Sequence, residues 1–162
     1  MRTVLFVCSA NTCRSPLAEA IARRSIERGL LGEGADAFVA SAGVFAVGGQ
    51  PPTREAVAAL AALDIEHDGL SKPLKPEMIR NADVVFCMTG VHVEAAESMV
   101  ADDPNEKAKV MLLEPGGQIE DPIGMGQAAY DLLAAKFMEL IPRRLKETLA
   151  NEDRPRLGSS GG

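Results

Sequence analysis

The sequence has 162 residues, which argues for one domain able to bury its own core without metals or disulfides. Its 17 Lys and Arg against 23 Asp and Glu leave a formal charge of -6, which disfavours nucleic acid and anionic lipid as partners. Aromatics at 4% with no tryptophan give no stacking platform for bases, and no apolar run reaches the roughly 20 residues of a membrane helix.

Thr3-Val4-Leu5-Phe6-Val7 is apolar without alternation, as expected of a strand covered on both faces and hence of a parallel sheet. Its short apolar stretch runs directly into Asn11 and Arg14, so it reads as a buried strand rather than a secretory signal. Next, Leu17, Ala18, Ile21, Ala22, Ile26 and Leu30 form a helical stripe, with Glu19, Arg23, Glu27 and Arg28 on the opposite, solvated face. Ala37-Phe38-Val39-Ala40 predicts a second strand ending in Ser41-Ala42-Gly43. A Gly- and Pro-rich loop then leads to a helix from about Thr53 to Leu63.

Val84 to Met88 and Val110 to Leu113 predict a third and a fourth strand. The last helix spans Gln127 to Ala150, with Leu133, Phe137, Leu140, Ile141, Leu145 and Leu149 on one face and a kink expected at Pro142. Strands alternate with helices throughout, so the expected architecture is one α/β domain over residues 1–150. Residues 151–162 are polar and end in Leu-Gly-Ser-Ser-Gly-Gly, a composition expected to stay disordered.

In open α/β sheets ligands bind at the carboxyl ends of strands, which directs attention to Cys8-Ser9-Ala10-Asn11-Thr12-Cys13-Arg14-Ser15-Pro16. Pro16 suits a first helical position and Ser15 an N-cap, which would turn free amides and the positive helix end into the loop. Those donors make an anion cradle. Cys8 faces it from the strand end, and Arg14 can fork two phosphate oxygens, a layout for attack of sulfur on phosphorus. A Cys followed six residues later by an Arg arises by chance in roughly one sequence in five. A buried strand before it, Ser-Pro after it and a helix start make the match specific. The Lys-bearing glycine loop of nucleotide-binding P-loops is absent from the sequence.

On these residues the chain resembles the low-molecular-weight protein tyrosine phosphatase family, whose C-x5-R-S-P loop closes the first strand. The likeness extends through Ser41-Ala42-Gly43, Pro73-Leu74, Val84 to Thr89 and Asp121-Pro122. The resemblance implies a four-stranded parallel sheet flanked by helices on both faces. It also implies that Cys8 is the nucleophile, Arg14 the phosphate clamp and Asp121 the general acid. Ser9, Ala10, Asn11, Thr12, Cys13 and Ser15 would bind the phosphoryl group, Ser15 would donate to sulfur, and Asn11 and Ser41 would brace the loop.

Two departures bear on substrate. Many members carry a bracing histidine where this chain has Gly69, a place His67 reaches only if its loop bulges. Tyrosine phosphatases follow Asp-Pro with an aromatic residue, whereas Ile123-Gly124-Met125-Gly126 stands here. With Thr12 in the loop, the chain is most similar to the protein arginine phosphatase branch, with Ala10 standing for its glycine. A planar, polar guanidino group suits a hydroxyl and a carboxylate better than aromatic walls, although Phe45 could line one side of the cleft.

Tyrosine phosphatase is the alternative. A thioredoxin-coupled arsenate reductase would need a second thiol past the third strand, and Met88 to Val100 has none. A non-catalytic phosphate-binding module is unsupported while Cys8, Arg14, Ser15 and Asp121 are all present. Alone, Asp-Pro is usually a turn, Asp131 reads as a solvated helical charge, and Cys87 as core. Cys13 is either core filler or a thiol that captures oxidised Cys8. His67 and His92 read as surface residues. Three cysteines, odd in number and sparse, fit a reduced cytoplasmic protein. The expected partner is a phosphorylated protein, met by a monomer or weak dimer without nucleic acid, membrane, metal or cofactor.

Overall fold

The computed structural model describes residues 1–32 and 36–149, so the expectation for the 151–162 tail lies outside the described residues. Elements follow in the order β1 (Arg2–Cys8), α1 (Arg14–Glu27), β2 (Ala37–Gly43), α2 (Arg54–Ala61) and α3 (Pro76–Asn81). Then come β3 (Val84–Cys87), α4 (Gly90–Met99), α5 (Pro104–Lys107), β4 (Val110–Leu112) and α6 (Gln127–Leu149). The four strands form one parallel sheet in the order β2-β1-β3-β4. The chain leaves β1 to one side for β2 and reaches its other side with β3, so the strand order reverses at β1 and opens a crevice at its carboxyl end.

Alternation along β1 feeds two cores. Val4, Phe6 and Cys8 pack with Leu17 and Ile21 of α1 and Phe137 and Ile141 of α6. Leu5 and Val7 join Ile79 of α3, Cys87 of β3 and Ala96 of α4. Phe6 and Phe86 stack across neighbouring strands with centroids 5.7 Å apart, and each such buried ring contributes roughly 1.5–3 kcal/mol. Arg144 ties α6 to the far edge of the sheet, donating from Nε to the Leu113 carbonyl at 2.9 Å.

β2 ends in Ser41-Ala42-Gly43 as expected, pairing them with Phe6, Val7 and Cys8, because the β1 ladder offers these small residues partners. α6 is a single helix across Pro142. Burial of Leu145 and Leu149 beyond it offsets the roughly 3 kcal/mol that an interior proline costs. α1 ends at Glu27, before Leu30. Glu19, expected in solvent, is buried at 5% exposure and finds its partners in the site.

Candidate active site

The 8–15 loop is held open from outside. The carbonyls of Cys8, Ser9 and Thr12 accept from the amides of Val44, Phe45 and Thr53, each at 2.9 Å. The amides of residues 9 to 15 have no protein acceptor among the described residues. Outward carbonyls and unclaimed amides beside a helix start make an anion site. Gly43 permits this close approach, since a Cβ there would stand 2.4 Å from the Ser9 carbonyl oxygen and 2.9 Å from the Asn11 amide. Asn11 takes the left-handed turn, with φ of 60°, a conformation asparagine tolerates better than most residues. Ala10 is not among the positive-φ residues, so alanine meets no backbone conflict where the related loops carry glycine.

Ser15 does not cap α1. The N-cap is Cys13, without a side-chain capping bond, because the Ser15 hydroxyl is engaged in the loop. Ser15 Oγ lies 2.9 Å from Cys8 Sγ and accepts from Asn11 Nδ2 at 2.7 Å. The amide of Lys72 donates to Asn11 Oδ1 at 2.9 Å, which fixes the side-chain amide and aims Nδ2 at both Ser15 and, at 3.0 Å, Ser41 Oγ. Ser41 in turn donates to Glu19 Oε1 at 3.0 Å. Donation therefore runs outward from Asn11 in two arms, one through Ser41 to Glu19 and one to Ser15, and Asn11, occupying the Ser15 oxygen as acceptor, leaves the Ser15 proton for sulfur.

The other Glu19 oxygen lies 3.3 Å from His67 Nδ1 and 3.4 Å from Arg23 Nη2. His67 is therefore no surface residue. Its side chain is 4% exposed, and burial, outweighing the pull of Glu19, holds the ring below the usual histidine range. Nδ1 makes no well-aligned hydrogen bond, so the contact with Glu19 is one of proximity. A Cβ on Gly69 would stand 3.0 Å from His67 Nε2, and the missing side chain gives the imidazole its room.

On the opposite wall, buried Arg14 donates from Nη1 to the Ile119 carbonyl at 2.9 Å and from Nη2 to Ser9 Oγ at 3.3 Å. The same Nη2 lies 3.7 Å from Asp121 Oδ2. Asp121 is 43% exposed and also forms the turn expected of Asp-Pro, its Oδ1 accepting from the Ile123 amide at 3.1 Å. His92, expected at the surface, is 2% exposed and places Nε2 2.8 Å from Ser9 Oγ. Burial and Arg14 hold it down to about 4, against a smaller opposing pull from Asp121.

Phe45 is 74% exposed beside the loop. Cys13 is buried with Sγ 3.2 Å from the Tyr130 hydroxyl. Cys87 lies in the β3 core, where burial pushes its thiol up to about 12, and Asp131 accepts from Gln127 on the exposed α6 surface. Glu19, Lys72, His67 and His92 are the site residues the sequence reading missed. Glu19 follows Ser15 by one helical turn, on the same face of α1. Thr89-x-x-His92 has capping-box spacing at the carboxyl end of a central strand.

Residues 3–154 match the low molecular weight phosphotyrosine protein phosphatase family. The chain is 35% identical over 153 residues to a protein-arginine-phosphatase of Bacillus subtilis, covering 93% of this chain and 99% of that one. It is 30% identical over 140 residues to the low molecular weight protein-tyrosine-phosphatase PtpB of Staphylococcus epidermidis, covering 86% and 94%. A solved YwlE arginine phosphatase with a phosphorylated active-site serine superimposes with a TM-score of 0.84 at 34% identity, covering 94% of this chain and 98% of that one. A C-x5-R-S-P loop at the strand switch point, a fold shared end to end and a family match across almost the whole length agree: this chain belongs to the low molecular weight phosphotyrosine protein phosphatase family.

Proposed function

We propose that the protein is a cysteine-dependent protein phosphatase acting on phosphoarginine. The observation that carries the chemistry is the 8–15 loop, with its amides unclaimed, Ser15 at 2.9 Å from Cys8 Sγ and Arg14 beside Asp121. In this reading Cys8 sulfur attacks phosphorus while the loop amides and Arg14 hold the phosphoryl oxygens. The P–N bond breaks, Asp121 gives its proton to the departing guanidino nitrogen, and a cysteinyl phosphate remains. Asp121, now a carboxylate, takes a proton from the attacking water. The S–P bond breaks and inorganic phosphate leaves.

The choice of phosphoarginine rests on Thr12 and the Asp121 loop. Thr12 is half-buried, and among the described residues its hydroxyl has only sulfur within reach, Cys13 Sγ at 3.9 Å, so it is available to a polar leaving group. Ile123, not an aromatic residue, follows Asp121-Pro122. Similarity to protein-arginine-phosphatases of Bacillus subtilis and Geobacillus stearothermophilus supports the same choice. Phe45, exposed at the cleft edge, favours the second reading, a tyrosine phosphatase. The substrate would be a phosphorylated protein, and the three unpaired cysteines suit the cytoplasm. No described helix is long and apolar enough to cross a membrane.

The deciding experiment compares kcat/KM on matched phosphoarginine and phosphotyrosine peptides, with Cys8→Ser and Asp121→Asn alongside. Cys8→Ser should abolish turnover, and Asp121→Asn should slow leaving-group departure by roughly 10²–10⁴-fold. Turnover by Cys8→Ser near the parent rate would refute the nucleophile, and a wild-type preference for phosphotyrosine would refute the substrate.

A further inference from the structure

His92 sits against the anion site with both ring nitrogens engaged, Nε2 by Ser9 and Nδ1 by Thr89, and these hydrogen bonds determine its protonation state. The Thr89 amide, which can only donate, points at His92 Nδ1 at 3.2 Å, and the Thr89 hydroxyl lies at 3.2 Å from the same nitrogen. Nδ1 therefore carries a lone pair, and the ring proton of the neutral form is on Nε2. Nε2 then donates to Ser9 Oγ at 2.8 Å, an oxygen that also accepts from Arg14 Nη2 at 3.3 Å. Two donors fill both lone pairs of Ser9, and its own proton has no protein acceptor among the described residues.

We infer that His92, as the Nε2–H tautomer, is a positioning residue for the anion site: through Ser9 it steadies the Arg14 guanidinium and leaves the Ser9 hydroxyl proton as a donor for the bound oxyanion. The charged or titratable groups acting on His92 are Arg14, which opposes a positive ring, and Asp121, which favours one. Arg14 has the larger effect. A second proton on Nδ1 would also meet the Thr89 amide head-on. The ring is thus kept neutral at working pH. Its role is to direct hydrogen bonds, and it supplies no proton to the reaction.

The inference rests on the phosphatase reading only for the identity of the anion. Two measurements on the intact enzyme test it without turnover, so its failure is distinguishable from failure of that reading. Two-bond ¹⁵N–¹H correlation spectra of the imidazole should show His92 neutral and protonated on Nε2 at pH 7. An Nδ1–H tautomer or a cation would overturn the assignment. Titration with inorganic phosphate, followed by ³¹P NMR, should give affinities about tenfold weaker for Ser9→Ala and for His92→Phe. The double variant should be no weaker than either single one, because both remove one linkage. Unchanged affinity in His92→Phe, or losses that add in the double variant, would overturn the positioning role. If His92→Phe does not fold, His92→Gln, whose amide can still donate, should bind phosphate within about threefold of the parent and carries the same test against Ser9→Ala.

Discussion

Replacing Asn11 separates two costs that the structure superimposes on one residue. Asn11 is 2% exposed and makes three hydrogen bonds, to Ser15 at 2.7 Å, to Ser41 at 3.0 Å and from the Lys72 amide at 2.9 Å. At about 1 kcal/mol net for each, their loss costs about 3 kcal/mol. Alanine must also hold φ of 60°, which costs about 1–2 kcal/mol more outside glycine and asparagine. Asn11→Ala is therefore expected to lose about 4–5 kcal/mol and Asn11→Gly about 3 kcal/mol in urea unfolding at pH 7. Against a typical total of 5–15 kcal/mol the glycine variant should remain folded. Its kcat on para-nitrophenyl phosphate should still fall at least tenfold, because the Ser15 proton is no longer reserved for Cys8 sulfur. A loss below about 1 kcal/mol in Asn11→Ala, or a glycine variant less stable than the alanine one, would refute the assignment of these costs. Full activity in a folded Asn11→Gly would refute the arm directed from Asn11 through Ser15 to Cys8.

Gly43→Ala places a methyl group 2.4 Å from the Ser9 carbonyl oxygen, so it should cost about 1–3 kcal/mol of stability. Turnover should fall further than stability does, as steady-state kinetics on the folded fraction would show. Thr12→Ile exchanges a hydroxyl for an apolar arm, and the ratio of kcat/KM for phosphoarginine over phosphotyrosine peptides should drop by roughly thirtyfold. His92 falls from 6.5 in the unfolded chain to about 4 in the fold, so acid charges the unfolded form first. Stability should decline as pH drops from 6.5 towards 4, by about 3 kcal/mol in all. Unfolding curves of His92→Gln should lack that share of the decline, while the similarly depressed His67 keeps its own. Mild peroxide should inactivate the enzyme reversibly, and peptide mapping should find Cys8 joined to Cys13; reversible oxidation with Cys13 still reduced would remove it from that role.

What the sequence displayed and what it concealed follow from distance along the chain. Cys8, Asn11, Arg14 and Ser15 lie within one loop, so their spacing was legible as an anion cradle before any fold was known. Ser41 and Asp121 became legible through the resemblance. Glu19 looked like a solvated helical charge because its partners, Ser41 and His67, lie on other elements that only the sheet brings to the loop. His92 meets Ser9 across 83 residues, a pairing made by the parallel adjacency of β1 and β3. Ser15 looked like a helix cap for a sound local reason, and lost that role because a non-local network claimed its hydroxyl. The end of β2 at Ser41-Ala42-Gly43 was legible too, and its pairing with Phe6, Val7 and Cys8 supplies the ladder that holds these small residues in the strand.

The imidazole lodged over Gly69 shows two sequence positions sharing one volume. His67 reaches Glu19 from two residues upstream of Gly69, through room that the absent Cβ provides. The two sites are thus a coupled pair: a side chain at 69 displaces the ring of His67, and removing the ring leaves the space over Gly69 empty. Substitutions at the two positions are therefore not independent, and what either one tolerates is set by the size of the other.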